Sequence, residues 1–454
     1  MAGGAAALGL GNAPAALPGT RKPNIIYAFS DEHRYQSMSL SEMPGLHTPN
    51  MAKLAQQGAV FTNCISNYPV CSPHRAILMT GRWPHQQGMI DNNIQLDADQ
   101  MTLGKAFQGV GYHTAYIGKW HLGGNRAESF GFDLSLIWTR TGKHWDTAEY
   151  HPTNGKPVKP KGYNATLMTD QAIDYIQKHA GGERPFFLML SWNPPHSCFT
   201  DPPDEKKALY PENSLPYRPN VPTAQTVDGP GASRIWKQNS WPHYQGYHAH
   251  ISAIDDELGR LTAKLDELGI AEDTIIVYSS DHGSMFGSHG VGSKRQPFEE
   301  SIRVPFIIRW PGVIPAGQTP GPLFGSIDIM PTMCALAGIP VPDTCMGLDF
   351  SATLRGKPGG PDPESQFIMH ISKKNASHGE NHPAPIFRGV RTKRYTYAVY
   401  PDRPWCLFDN AKDPYQLNNL IDDPAHAKLR AKNAETLREW LRRAQDPFQL
   451  PPNA

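Results

Sequence analysis

Apolar and polar positions follow two rhythms along this chain. Three short runs, "PNIIYAFS" (23–30), "FFLMLSW" (186–192) and "TIIVYSS" (274–280), are almost continuously apolar, and each stops at polar or ionisable residues: "DEHR", "NPPH" and "DHG". Runs of that length without alternation predict strands of a parallel sheet, buried on both faces. Between them the period changes to that of a helix. "TPNMAKLAQQG" opens at Thr48, with proline next, and stops at Gly58, while "ISAIDDELGRLTAKLDELG" sets Ile251, Ile254, Leu258, Leu261 and Leu265 on one face. The histidines of "HYQGYHAH", His248 and His250, then fall before this helix, as substrate-side or surface groups. Strands alternating with helices predict an α/β fold. In such open sheets ligands sit off the carboxyl ends of the strands, so the polar residues closing the three runs are expected to converge.

Residues 194–242, rich in Pro, Asn and Ser, read as long site loops or an insertion. Near 351–380 the composition shifts, with "RGKPGGPDPES" as a linker, and short alternating strands and an amphipathic helix, "AKLRAKNAETLREWLRRAQD", follow. The expected organisation is a leader over 1–20, a catalytic domain over 21–350 and a C-terminal α+β subdomain over 365–454. The leader is small, apolar and uncharged until Arg21, and contains "APAA". It reads either as a disordered Ala/Gly segment or as the end of an export signal without its basic part, which would place the protein in the periplasm or outside the cell.

Composition narrows the partners. The 454 residues carry 43 basic and 42 acidic side chains, a formal charge of +1, which leaves no electrostatic footprint for nucleic acid. No apolar run approaches the roughly 18 residues of a membrane span. Six cysteines lie far apart without zinc-site spacing.

One of them, Cys71, opens "CSPHRAILMTGR". Pro73 suits the first turn of a helix, so Cys71 would stand at its positive end, where anions bind, and Arg75 would project from one turn further on. That arrangement predicts a nucleophile acting on an anionic substrate. The stretch also fits the Cys-x-Pro-x-Arg pattern, with its trailing Thr-Gly-Arg, of the formylglycine-dependent sulfatases of the alkaline-phosphatase superfamily. "PNIIYAFSDEHR", "GYHTAYIGKWHLG", "SSDHGSMFGSHG", "KRQPFEESIRVPFIIRWPG", "SIDIMPTMCALAGIPVP" and "LFDNAKDPYQLNNL" are similar to further signatures of that family, in its order.

The resemblance implies a large mixed sheet sandwiched by helices, a smaller C-terminal antiparallel sheet with a terminal helix, and hydrolysis of a sulfate ester, expected on a carbohydrate. It implies that a maturation enzyme oxidises Cys71 to formylglycine, whose hydrate attacks sulfur. A divalent metal would be held by Asp31, Glu32, Asp281, His282 and residue 71, with calcium favoured by the oxygen donors and manganese or zinc brought in by the imidazole. Lys119, His121, His196 and Lys294 would contact the sulfate, and Arg75 together with the metal would ionise the attacking hydroxyl. Lys294 or His196 would protonate the leaving alcohol, and His121 would take the proton that re-forms the aldehyde. Lys119 and His121, two apart in "GKWH", are expected to point the same way from an extended segment. Glu32 stands where the family often has Asp, and His282 where it often has Asn. The alternatives are a phosphonate monoester or phosphodiester hydrolase of the same superfamily, or a silent glycan-binding member.

Overall fold

The computed structural model describes residues 22–454 except 42, 44, 125, 139–141, 147–148, 223–239 and 373–385. The expected leader lies outside the described residues. Eight strands form the main sheet: β1 Asn24–Asp31, β2 Ala59–Val60, β3 His113–Lys119, β4 Leu134–Trp138, β5 Tyr150–Pro152, β6 Phe186–Pro195, β7 Thr274–Ser280 and β8 Phe306–Arg309. Their order is β2-β8-β7-β1-β6-β3-β4-β5. The five strands from β7 to β4 run parallel, while β8 pairs antiparallel with both β7 and the edge strand β2, and β5 adds an antiparallel edge on the other side.

All three apolar runs therefore lie side by side at the centre of the sheet. Each is buried along its whole length. Alternate residues of β1 face opposite layers: Ile26 and Ala28 join one apolar cluster, Ile25, Tyr27 and Phe29 the other. The first layer is closed by helices α1 Pro49–Gln56, α3 Asn164–His179 and α4 Trp241–Glu267, and the second by α2 Cys71–Thr80 among others.

Helix α4 departs from the sequence reading. It begins at Trp241, ten residues ahead of Ile251, so His248 and His250 lie inside it and are fully buried. Polar partners make that burial tolerable: His248 Nδ1 lies 2.8 Å from the Tyr244 carbonyl, and His250 Nδ1 lies 2.6 Å from the Tyr163 hydroxyl. Among the described residues no helix is long and apolar enough to cross a membrane.

The C-terminal part is an antiparallel sheet of β9 Ser365–His370, β10 Phe387–Thr392, β11 Tyr395–Val399 and β12 Pro404–Asp409, covered by α5 Ala427–Ala444. It shares a core with α2. Val70 and Ile77 pack with Phe367, Val390, Leu437 and Trp440, whereas Ala76, Leu78 and Met79 face the main sheet. The helix that opens at Cys71 is thus wedged between both parts. Gly81 ends it at φ 62°, where a Cβ would lie 2.8 Å from Cys345 Sγ.

Candidate active site

The carboxyl ends of the parallel strands bring the site together. β1 ends at Asp31, β3 at Lys119 and β6 just before His196, while Asp281 follows β7. The β1–β6 register shifts after Phe29, aligning Asp31 with Pro195. Cys71 is the first residue of α2, after Val70 in extended conformation. The Ser72 amide donates to Asn92 Oδ1 at 3.0 Å, so one buried amide that the first turn leaves without an intrahelical partner is satisfied by a side chain.

The Cys71 sulfur lies 3.1 Å from His282 Nε2, 3.6 Å from Lys294 Nζ and 3.7 Å from Asp31 Oδ1, all buried. Arg75 reaches the same place, as its position one turn along predicts. Its Nη2 donates to Asp31 Oδ2 at 2.9 Å and to Asp281 Oδ2 at 3.1 Å, while Nη1 is anchored on Ser191 Oγ at 2.7 Å and the Lys119 carbonyl at 2.8 Å. Lys119 Nζ pairs with Asp31 Oδ2 at 2.6 Å.

Lys119 and His121 do converge on the site, but not by strand alternation. The strand stops at Lys119 and His121 adopts φ 55°, a left-handed turn that returns its imidazole to hydrogen-bonding reach of Cys71. Its carbonyl accepts from Ser72 Oγ at 2.6 Å. Glu32 is turned similarly, at φ 74°. Its carboxylate pairs with Lys294 at 2.9 Å and with His196 at 3.6 Å. Four of the five expected metal donors, Asp31, Cys71, Asp281 and His282, offer ligand atoms within 4.8 Å of one another, whereas Glu32 groups with Asp31 and His196.

The charges explain one another. Burial and Asp31 oppose ionisation of the Cys71 thiol, yet Lys294, Lys119 and His282 hold it well below its ordinary range. Asp31, despite burial, is held well below the usual carboxylate range by Lys119, His196 and Arg75. Asp281 is pushed up to about 7 by burial and by the Asp31 charge. Burial works against His282, but Asp281 carries it up to about 9. Burial and the neighbouring Lys119 push His196 down to about 3. Lys294 is raised against burial by Cys71, Glu32 and Asp31, and keeps its proton.

Two carboxylates repelling in a dry site, beside a sulfur and an imidazole, form a donor set that fits a divalent cation. The chain's own cations, Arg75, Lys119 and Lys294, leave capacity for an anion beside it. Motif reading missed several supporting residues. Ser191 and Tyr116 brace Arg75, and Ser66 Oγ donates to the Asp281 carbonyl at 2.7 Å while contacting His74 Nδ1 at 2.9 Å. Ser191 left one signal, as the single polar residue inside an apolar strand run.

This geometry has close counterparts. A family model described as Sulfatase matches residues 23–339, and one described as N-sulphoglucosamine sulphohydrolase, C-terminal, matches 287–443. An ulvan-active sulfatase of Formosa agariphila is 34% identical over 442 residues, covering 94% of this chain and 83% of that protein. An N-acetylglucosamine-6-O-sulfatase of Bacteroides thetaiotaomicron is 29% identical over 498 residues, covering 94% and 88%. A solved structure of a protein in complex with its substrate D-glucosamine-2-N,6-O-disulfate superposes with a TM-score of 0.82 at 26% identity, covering 94% of this chain and 99% of that one.

Proposed function

Because this chain belongs to the sulfatase family and is a sulfuric ester hydrolase, we propose that it removes sulfate from a saccharide through a formylglycine made from Cys71. The observation that carries this reading is the placement of the Cys71 side chain, 3.1 Å from His282 and 3.6 Å from Lys294 at the head of a helix. Relatives named for ulvan and N-acetylglucosamine sulfate support a carbohydrate substrate.

Asp31, Asp281, His282 and residue 71 would hold the cation, for which we propose calcium; when bound it supplies positive charge against the sulfuryl oxygens and lowers the cost of an ionised nucleophile. The remaining work falls to the chain's own residues. Lys119, Lys294 and Arg75 give fixed positive charge for a sulfate group, and Arg75 is kept rigid by its bonds to Asp31, Asp281 and Ser191. Lys294 carries a proton across the neutral range, while His196 in the free site does not, so Lys294 is the donor to the leaving alcohol. Glu32 keeps Lys294 aimed at residue 71. His121, held neutral chiefly by burial and lying against residue 71, is the group able to accept a proton from it.

The test is production with and without a formylglycine-generating maturation enzyme. Peptide mass spectrometry reads the state of residue 71. Sulfate release from a panel of sulfated sugars is compared with cleavage of a phenyl phosphonate monoester, for wild type and Cys71→Ala. Sulfate release confined to the matured wild type upholds the reading; preferential cleavage of the phosphonate ester overturns it. Export is a further proposal, tested by locating the matured protein in cell fractions.

A further inference from the structure

Two buried imidazoles and a carboxylate that the ester chemistry leaves unused meet behind the β6 end. His250 comes from α4, His144 from the chain between β4 and β5, and Asp201 from the loop after β6. His144 Nδ1 stands 2.8 Å and His250 Nε2 3.4 Å from the same oxygen, Asp201 Oδ1. These three atoms lie within 4.8 Å of one another, and the Cys198 carbonyl adds an oxygen 3.0 Å from His250 Nε2. We infer that His144, Asp201 and His250 form a second metal site, for a zinc-class divalent transition ion.

The surroundings are those of a ligand set. Each imidazole has a polar partner at its other nitrogen, His144 Nε2 the Asn193 side-chain amide at 2.9 Å and His250 Nδ1 the Tyr163 hydroxyl at 2.6 Å; with a metal on His144 Nδ1, the Asn193 amide would turn its otherwise unpartnered oxygen to accept from Nε2–H. The two histidines are almost fully buried, whereas the Asp201 side chain is 19% exposed and provides the way in. Two nitrogens with one carboxylate favour zinc, cobalt or nickel over calcium. An ion there would clamp α4 to the chain between β4 and β5 and to the loop after β6. Through Asn193, whose carbonyl accepts the His196 amide at 3.1 Å, it would also brace the turn that presents His196.

The experiment uses the full-length protein with calcium in excess, to compete for the site of Asp31, residue 71, Asp281 and His282. Zinc is then added and removed by dialysis, and content is read by plasma mass spectrometry, with anomalous diffraction at the zinc edge. One retained zinc per chain is expected, with a peak about 2.0–2.1 Å from His144 Nδ1 and His250 Nε2. In Asp201→Asn and His144→Gln the apparent zinc affinity should fall more than about 100-fold, beyond the loss that outer-shell changes cause, with calcium content and circular dichroism unchanged. Should His144→Gln not fold, the part-exposed, isosteric Asp201→Asn still decides. No retained zinc, equal zinc in wild type and Asp201→Asn, or a peak confined to Asp281 overturns the inference and leaves the cluster a hydrogen-bonded staple. Metal content is read rather than turnover, so the outcome is independent of the substrate proposal.

Discussion

Two buried polar clusters adjoin His196, one through Glu32 and the other through Asn193, and they differ in charge. Around Cys71, three carboxylates, Asp31, Glu32 and Asp281, are interleaved with Arg75, Lys119 and Lys294, all buried. Around Asp201, one carboxylate meets two imidazoles, one of them held neutral by burial. The first sets three fixed positive charges against three carboxylates, so a divalent cation on its donors would leave net positive charge for an anion; the second has one negative charge and suits a cation alone. Burial of like groups is therefore a poor guide to function. The sign and permanence of the surrounding charges decide what a cluster can take.

That contrast is broken most completely at residue 71. Cys71→Ala should lower sulfate release by at least about 10⁴-fold, since no other group there can form the covalent intermediate, and Asp201→Asn should not approach that loss. Next comes Lys294→Met, which removes both the proton donor and the partner of Glu32. It should cost about 10²–10⁴-fold in kcat, less for substrates whose leaving group needs no protonation, such as an aryl sulfate. Arg75→Lys should cost about 10²–10³-fold in kcat/KM, because a lysine cannot bridge Asp31, Asp281 and Ser191 at once.

The smallest expected effect is on stability and separates the clusters by pH. Asp281 binds its proton more tightly in the folded, metal-free protein, at about 7 against an ordinary 3.8, so raising pH through that window costs stability. Calcium must displace that proton below about pH 7, and its gain in Tm should be larger at pH 8 than at pH 5. His250 is shifted the other way, to about 4 from 6.5. Its contribution is present above pH 6.5 and is lost as pH falls toward 4. Melting curves with calcium or chelator across this range check both, and Asp201→Asn should change the acid limb without altering the calcium response.

Much of the framework was legible along the chain because its causes are local. A strand buried on both faces needs a continuous apolar run, and a site at its end needs a polar residue just beyond; the runs before Asp31, His196 and Asp281 carry both signals. The Cys71 stretch carries its helix start and Arg75 one turn on. The family, the fold and the ester-hydrolase activity expected from those motifs agree with the superposed relatives. Less legible was β3, read only as the neighbourhood of "GKWH", and the start of α4, hidden because histidines inside a helix look like loop residues when their partners cannot be seen.

What the sequence by itself determined is therefore the order of the strands' contents, the residues at their ends and the helix headed by Cys71, since each depends on neighbours a few positions away. What only the tertiary structure decided is which of those residues share charges. Arg75 bridges carboxylates 44 and 206 positions away, Glu32 turns toward Lys294, 262 positions on, and His250 finds Asp201 rather than solvent. Electrostatic interactions act through space and grow stronger as water is excluded, so they are settled when the strands and loops close around the site.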